Sequence, residues 1–123
     1  MITSSLSHPT GDRHLVIRQW QLEAAGGACG AALLSFFDYG HTWRLAASLR
    51  GGDGLWQSYT DAQLKVGLLE LYSEATIRKS VSTLKARGFL SIRGNPTDNR
   101  QHYLFEVENV ATWLSNYHVS EGQ

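Results

Sequence analysis

Between positions 73 and 83 the residues Ser73, Thr76, Arg78, Lys79, Ser82 and Thr83 combine hydroxyls and cations at the three- and four-residue steps that gather side chains along one side of a helix. That chemistry suits an anion presented over a length. Guanidinium and ammonium groups neutralise phosphates, while short hydroxyls donate single hydrogen bonds without keeping the helix away from its target. A second group, Arg93, Asn95, Asn99 and Arg100, follows after a short interval and adds two cations and two amides. From Ser73 to Arg100 six basic residues stand against two acidic ones, although the whole chain has 11 of each and no net charge. The remainder is therefore acidic by the same margin, and a neutral composition conceals a dipolar molecule. The charge pattern by itself fits an ordinary solvated helix face as well as a ligand surface.

Other chemistries find little support. Cys29 is the single cysteine, so an intramolecular disulfide and a thiolate cluster are both excluded. In "GGACGAALL" it reads as a small buried hydrophobe. His8, His14, His41, His102 and His118 are scattered without metal-ligand spacing, and no metal site or cofactor is expected. "GGACG" and "GGDG" form neither a dinucleotide fingerprint nor a P-loop. No nucleophile, base and orienting acid stand out, so no catalytic centre is expected.

The elements that must position these residues follow from periodicity and punctuation. With 123 residues and 42% hydrophobic content, one core is expected, in a single domain over residues 15–117. Residues 1–14 and 118–123 lack apolar periodicity and read as loosely held ends. No secretory leader or membrane-length apolar run is apparent, which leads us to expect a soluble, cytoplasmic protein. "HLVIRQWQL" suits a short strand or the approach to a helix. From Ala28 to Leu49 the apolar spacing predicts a long amphipathic helix with a weak point at Gly40.

"RGGDG" breaks the chain, and "LWQSY" predicts a small strand. Thr60 and Gln63 form a capping box for a short helix from Asp61 to about Leu68. "GLLELY" turns the chain toward Ser73, an N-cap with Glu74 at the positive end of the next helix. Ile77, Val81 and Leu84 give that helix one apolar stripe, and Gly88 stands where a left-handed cap belongs. Ala75, Lys79, Ser82 and Ala86 point away from the stripe, flanked by Thr76, Arg78 and Thr83. "FLSIR" and "RQHYLFEV" alternate as strands around the loop "GNPTDN", and "ENVATWLSNY" predicts a C-terminal helix. The four tryptophans, Trp20, Trp43, Trp56 and Trp113, fall in apolar elements and are expected in the core, with Tyr103 and Phe105 anchoring the last strand.

Helix, short strand, helix, tight turn, helix and hairpin is the order of a winged helix-turn-helix. The expected fold class is therefore α+β, mainly helical, with a C-terminal β-hairpin wing and an extra C-terminal helix. In that arrangement the helix opening at Ser73 fits the major groove of DNA, the preceding helix braces it, and Arg93, Asn95, Asn99 and Arg100 serve the wing. Arg100 could equally pair with Asp98 or Glu106.

"AALLSFFDYGHTW", "LWQSYTDAQL", "YSEATIRKSVSTLKARGFL" and "IRGNPTDNRQHYLF" together resemble the winged-helix modules of phage and plasmid replication proteins and replisome organisers. The resemblance spans Trp20 to Val107. It is most specific in the Ser73–Leu90 block and in the pattern from Asn95-Pro96 through Arg100 to Tyr103. Where such proteins often close with "DRT…Y", this chain has "DNRQHY", with Asn99 inserted and no threonine after Arg100. "IRKSVSTLKARGFL" also resembles helix-turn-helix regulators at large. The resemblance implies sequence-specific binding of double-stranded DNA in a bacterial or phage-infected cell, in transcription or replication control of a mobile element. Initiators of this kind usually carry a further partner-recruiting domain, and a stand-alone module is expected to be a small repressor or accessory factor. A homodimer is a further expectation, because small regulators gain affinity from two half-sites. The alternative is a protein-interaction module, such as a phage-encoded inhibitor or assembly factor, favoured by the neutral charge and by Glu74 beside the reading face.

Overall fold

A computed structural model describes residues 15–47, 54–94 and 100–121. It is an α+β fold in which helices predominate over one small antiparallel sheet. In chain order the elements are α1 (Gln19–Ala25), α2 (Ala28–Ala46), β1 (Gln57–Tyr59), α3 (Asp61–Gly67), α4 (Glu74–Ala86), β2 (Leu90–Gly94), β3 (Gln101–Phe105) and α5 (Val107–Glu121). The strands lie in the order β1-β3-β2, so the last strand is inserted between the first two and pairs antiparallel with both.

Capping chemistry sets several boundaries. The Thr60 hydroxyl accepts from the Gln63 amide at 3.1 Å while the Gln63 side chain accepts from the Thr60 amide at 2.9 Å, as the capping box requires. Ser73 accepts from the Thr76 amide at 3.2 Å and opens α4. At the other end Gly88 has φ +83°, a left-handed conformation that a β-carbon would strain, and Phe89 returns its amide to the Leu84 carbonyl at 2.9 Å. The turn between α3 and α4 takes Leu69 and Glu70 through φ of about 60°, with both side chains directed outside the core.

The core lies between α2, α4 and the inner face of the sheet. Ile77, Val81 and Leu84 are buried on α4 as their spacing predicts, and each contributes roughly 1.5–3 kcal/mol from apolar burial. They meet Leu33, Leu34 and Phe37 of α2 and the inward residues Tyr103 and Phe105 of β3 in one continuous cluster. Phe37 and Tyr103 stack obliquely with centroids 5.1 Å apart. Cys29 is buried in the same cluster, where desolvation raises its thiol pKa.

Several expectations change in the folded chain. Of the two readings open for "HLVIRQWQL", the approach to a helix holds: residues 15–18 have no regular structure, and α1 begins at Gln19, where the buried Gln21 side chain accepts from the Arg18 amide at 2.8 Å. α2 runs through Gly40 without interruption and is described to Ala46; Leu49 lies outside the described residues. Its first turns are not a narrow stripe, since residues 29–34 are all buried between neighbouring elements. Val107, expected to continve the alternation of β3, instead opens α5 and is exposed. That helix continues to Glu121, beyond Tyr117, and docks through Val110 and through Trp113, whose ring lies 6.4 Å from Trp20 and 5.2 Å from Tyr117. Trp20 and Trp113 pack against the core as expected. Trp56 is only half-buried, and Trp43 is exposed because it lies on the side of α2 turned away from the buried Phe37 and His41.

Tyr103 gives a pH dependence with a definite sign. Burial, aided by the negative charge of Asp61, pushes its hydroxyl up to about 12 from an ordinary 10. The folded state therefore holds a proton that the unfolded chain releases first. Its stabilising contribution is complete below pH 10 and declines as pH rises toward 12. Tyr103→Phe should flatten that alkaline decline in thermal melts, and an identical decline in the variant would assign it to other groups.

Candidate nucleic-acid interface

The outward side of α4 is assembled from residues excluded by its apolar stripe. Ala75, Thr76, Arg78, Lys79, Ser82 and Ala86 are exposed, together with Lys85 in the last turn. The Lys79 ammonium has no hydrogen-bond or ion-pair partner among the described residues, so it is solvated and available. The helix thus presents a small, polar, cationic strip with little bulk along its centre.

Individual side chains differ in their freedom. The Ser73 hydroxyl donates to the Thr76 hydroxyl at 3.0 Å, besides capping the helix; the Thr76 hydroxyl retains its own proton for an outside acceptor. Thr83 is half-buried and donates to the Lys79 carbonyl at 3.2 Å, which commits its proton within the helix. Ser82 is fully outward. Arg78 donates weakly to the Glu74 carbonyl and lies 3.7 Å from Asp61, with most of its side chain in water. An exposed pair of this kind contributes at most about 1 kcal/mol and is readily exchanged for a stronger anion.

Asp61 and Gln63 connect the two sequence groups. Arg100 donates to the Gln63 side chain at 3.3 Å and more weakly to the Ser58 carbonyl, while Arg78 approaches Asp61. Two guanidiniums from distant parts of the chain therefore converge on the first turn of α3. Glu106, one of the two carboxylates expected for Arg100, accepts from the Ser91 hydroxyl. Asn95 and Asn99, with Asp98, lie outside the described residues.

Arg93 has a different setting. The register pairs it with His102, and His102 with Ser58, whereas the adjacent row joins Ile92, Tyr103 and Gln57. Since Tyr103 and Gln57 are buried, the Arg93 row occupies the outer face of the sheet. Its guanidinium lies 4.5 Å from the Trp56 ring centre, a cation–π contact that spans the central strand. Sequence spacing gave no sign of this pairing, because Trp56 and Arg93 are neighbours only through strand order.

The chain matches no known protein family, curated protein or solved structure. The functional reading consequently depends on this geometry and its charge.

Arg87 performs a separate task. It donates to the Ala24 carbonyl and lies against Gly26, tying the end of α4 to α1. Lys85 lies in the last turn of α4, where a cation complements the helix dipole, and by position it also shares a flank with Arg78. Its seven-residue separation from Arg78 was the available signal.

Proposed function

We propose that this chain is a winged helix-turn-helix protein that binds double-stranded DNA sequence-specifically, as a small regulator of transcription or replication in a mobile element. The observation that carries the reading is the outward strip of α4, where Lys79 is free beside Thr76, Arg78 and Ser82. The antiparallel order β1-β3-β2 and the short α3 before α4 support the same assignment.

In this reading α4 enters the major groove, and its small residues Ala75, Ser82 and Ala86 permit close approach. Thr76 and Ser82 can donate to base edges or backbone oxygens. Lys79, Arg78 and Lys85 neutralise phosphates on the flanks, and Arg100 reaches the backbone beside the first turn of α3. Asp61 acts as a placeholder for Arg78 until a phosphate replaces it. No α4 contact carries sequence information unless it reaches a base edge, so specificity rests on the Thr76–Ser82 span.

Fluorescence anisotropy with a random duplex pool and the protein's own upstream DNA, over a salt series, tests the proposal. Binding should weaken steeply with salt, and Lys79→Ala should make the log–log slope shallower by about one, as expected for one lost phosphate contact. Absence of binding to both DNAs at low salt would overturn the reading.

The neutral overall charge and the Asp61–Arg78 pair favour one second reading, a winged-helix module for protein binding. A partner recovered from the source cell, with no DNA affinity, is the result that reading requires. Homodimerisation is also proposed, since two copies on adjacent half-sites would double the contact surface. Equilibrium sedimentation at micromolar concentration should give twice the chain mass, and a monomer would remove the dimer from the proposal.

A further inference from the structure

Phe36, Tyr39, Gly40, Trp43 and Arg44 recur on α2 at three- and four-residue steps, which places them along one side of the helix. With Tyr59 of β1 they line an open cleft of about 300 Å³. Tyr39 is 76% exposed and Trp43 55% exposed, an unusual investment of large rings outside a core. Between them Gly40 contributes only backbone. The place a side chain on Gly40 would take is filled by the buried Gln57 amide.

Arg44 is the one charged residue in the lining. Its guanidinium donates to the Gly40 carbonyl at 3.3 Å, lies 5.8 Å from the Trp43 ring centre, and interacts with the Tyr59 hydroxyl. A cation is thus held at the edge of an aromatic slot without a carboxylate partner in the lining. Such a site repels aromatic ammonium compounds, which would need an acid or an uncharged cage. It suits a flat ring that stacks against Trp43 and Tyr39 and carries an anionic group for the guanidinium.

We propose that this cleft is a binding site for a planar aromatic carboxylate, with its ring between Tyr39 and Trp43 and its carboxylate on Arg44. The volume is at the small end of ligand sites, which favours one or two fused rings. The site is formed by α2 and β1 and uses none of the α4 residues assigned to DNA, so it stands independently of the DNA reading.

The test is a titration of the full chain with 2-naphthoate, followed by tryptophan fluorescence, beside its neutral counterpart 2-naphthamide. Trp43→Phe assigns the signal among the four tryptophans. Saturable quenching by naphthoate, at least about ten-fold stronger binding than naphthamide, and loss of that preference in Arg44→Gln are expected. Trp43→Ala, at an exposed position that folding does not require, should weaken naphthoate binding with an unchanged thermal midpoint. Equal affinity for the acid and the amide, indifference to Arg44→Gln or to Trp43→Ala, or no binding would overturn the proposal. So would a Trp43 signal that changes with protein concentration alone, which would identify a second copy as the occupant.

Discussion

Gly40→Ala is expected to destabilise the protein by about 2–3 kcal/mol, lowering the thermal midpoint by roughly 10 °C. Helix propensity alone predicts the opposite, because alanine in a helix interior is favoured over glycine by about 1 kcal/mol. The deciding contact is with Gln57. A β-carbon on Gly40 would overlap the Gln57 amide oxygen and lie 2.8 Å from its Cδ. Gln57 cannot move aside cheaply, for its side chain is fully buried and held by two hydrogen bonds. Its amide donates to the Phe37 carbonyl at 3.0 Å, and its oxygen accepts from the Tyr59 hydroxyl at 2.9 Å.

Displacing Gln57 would therefore add an unsatisfied buried amide to the steric cost. Thermal melts followed by circular dichroism measure the effect. Combining Gly40→Ala with Gln57→Ala should recover part of the loss, because truncation removes the obstructing atoms. Gly67→Ala offers a contrast: its β-carbon would meet the Phe36 ring, which is only half-buried and can turn toward the open cleft. Its cost should be smaller. A raised midpoint for Gly40→Ala would mean that propensity governs this position and that α2 does not need its close approach to β1.

The paired substitution Lys79→Glu with Ser82→Glu should reduce DNA affinity about 100-fold or more at low salt, equivalent to about 3 kcal/mol. Both residues are exposed on the outward strip, so their replacement leaves the Ile77–Val81–Leu84 stripe untouched. The thermal midpoint should consequently remain within about 2 °C of the parent. Loss of affinity comes from removing one cation and placing two carboxylates toward phosphates. Anisotropy at fixed salt, with the melting curve as control, separates the two properties. Undiminished binding by this variant would exclude α4 as the DNA-contacting helix, even if the protein binds DNA through another surface. Arg93→Ala and Arg100→Ala would then be the substitutions that locate it.

Much of the local architecture was legible from residue types. Thr60 with Gln63, Ser73 with Thr76, and Gly88 after Leu84 announce helix ends through hydrogen bonds and backbone conformations that operate within a few residues. The Ile77–Val81–Leu84 stripe likewise identifies the buried side of α4, and with it the outward side bearing Lys79 and Ser82. Periodicity was less informative where burial was not one-sided. The opening of α2 is covered all round, and "HLVIRQWQL" could not distinguish a strand from the start of α1. Val107 follows β3 in alternation, but the chain turns at Glu106, where contacts to Phe89 and Ser91 start α5.

The sequence by itself determined the α+β class, the helix caps and the concentration of positive charge in one segment, because each depends on neighbours close along the chain. Only the tertiary structure decided what those charges face. It brought Arg78 and Arg100 to the first turn of α3, laid Arg93 over Trp56 across the sheet, committed Thr83 inward, and left Tyr39 and Trp43 around Gly40 as an open cleft. Strand order and helix packing set those relations. They connect residues dozens of positions apart, and the physical reason they escape a linear reading is that nothing in local spacing encodes which distant surface will be buried against which.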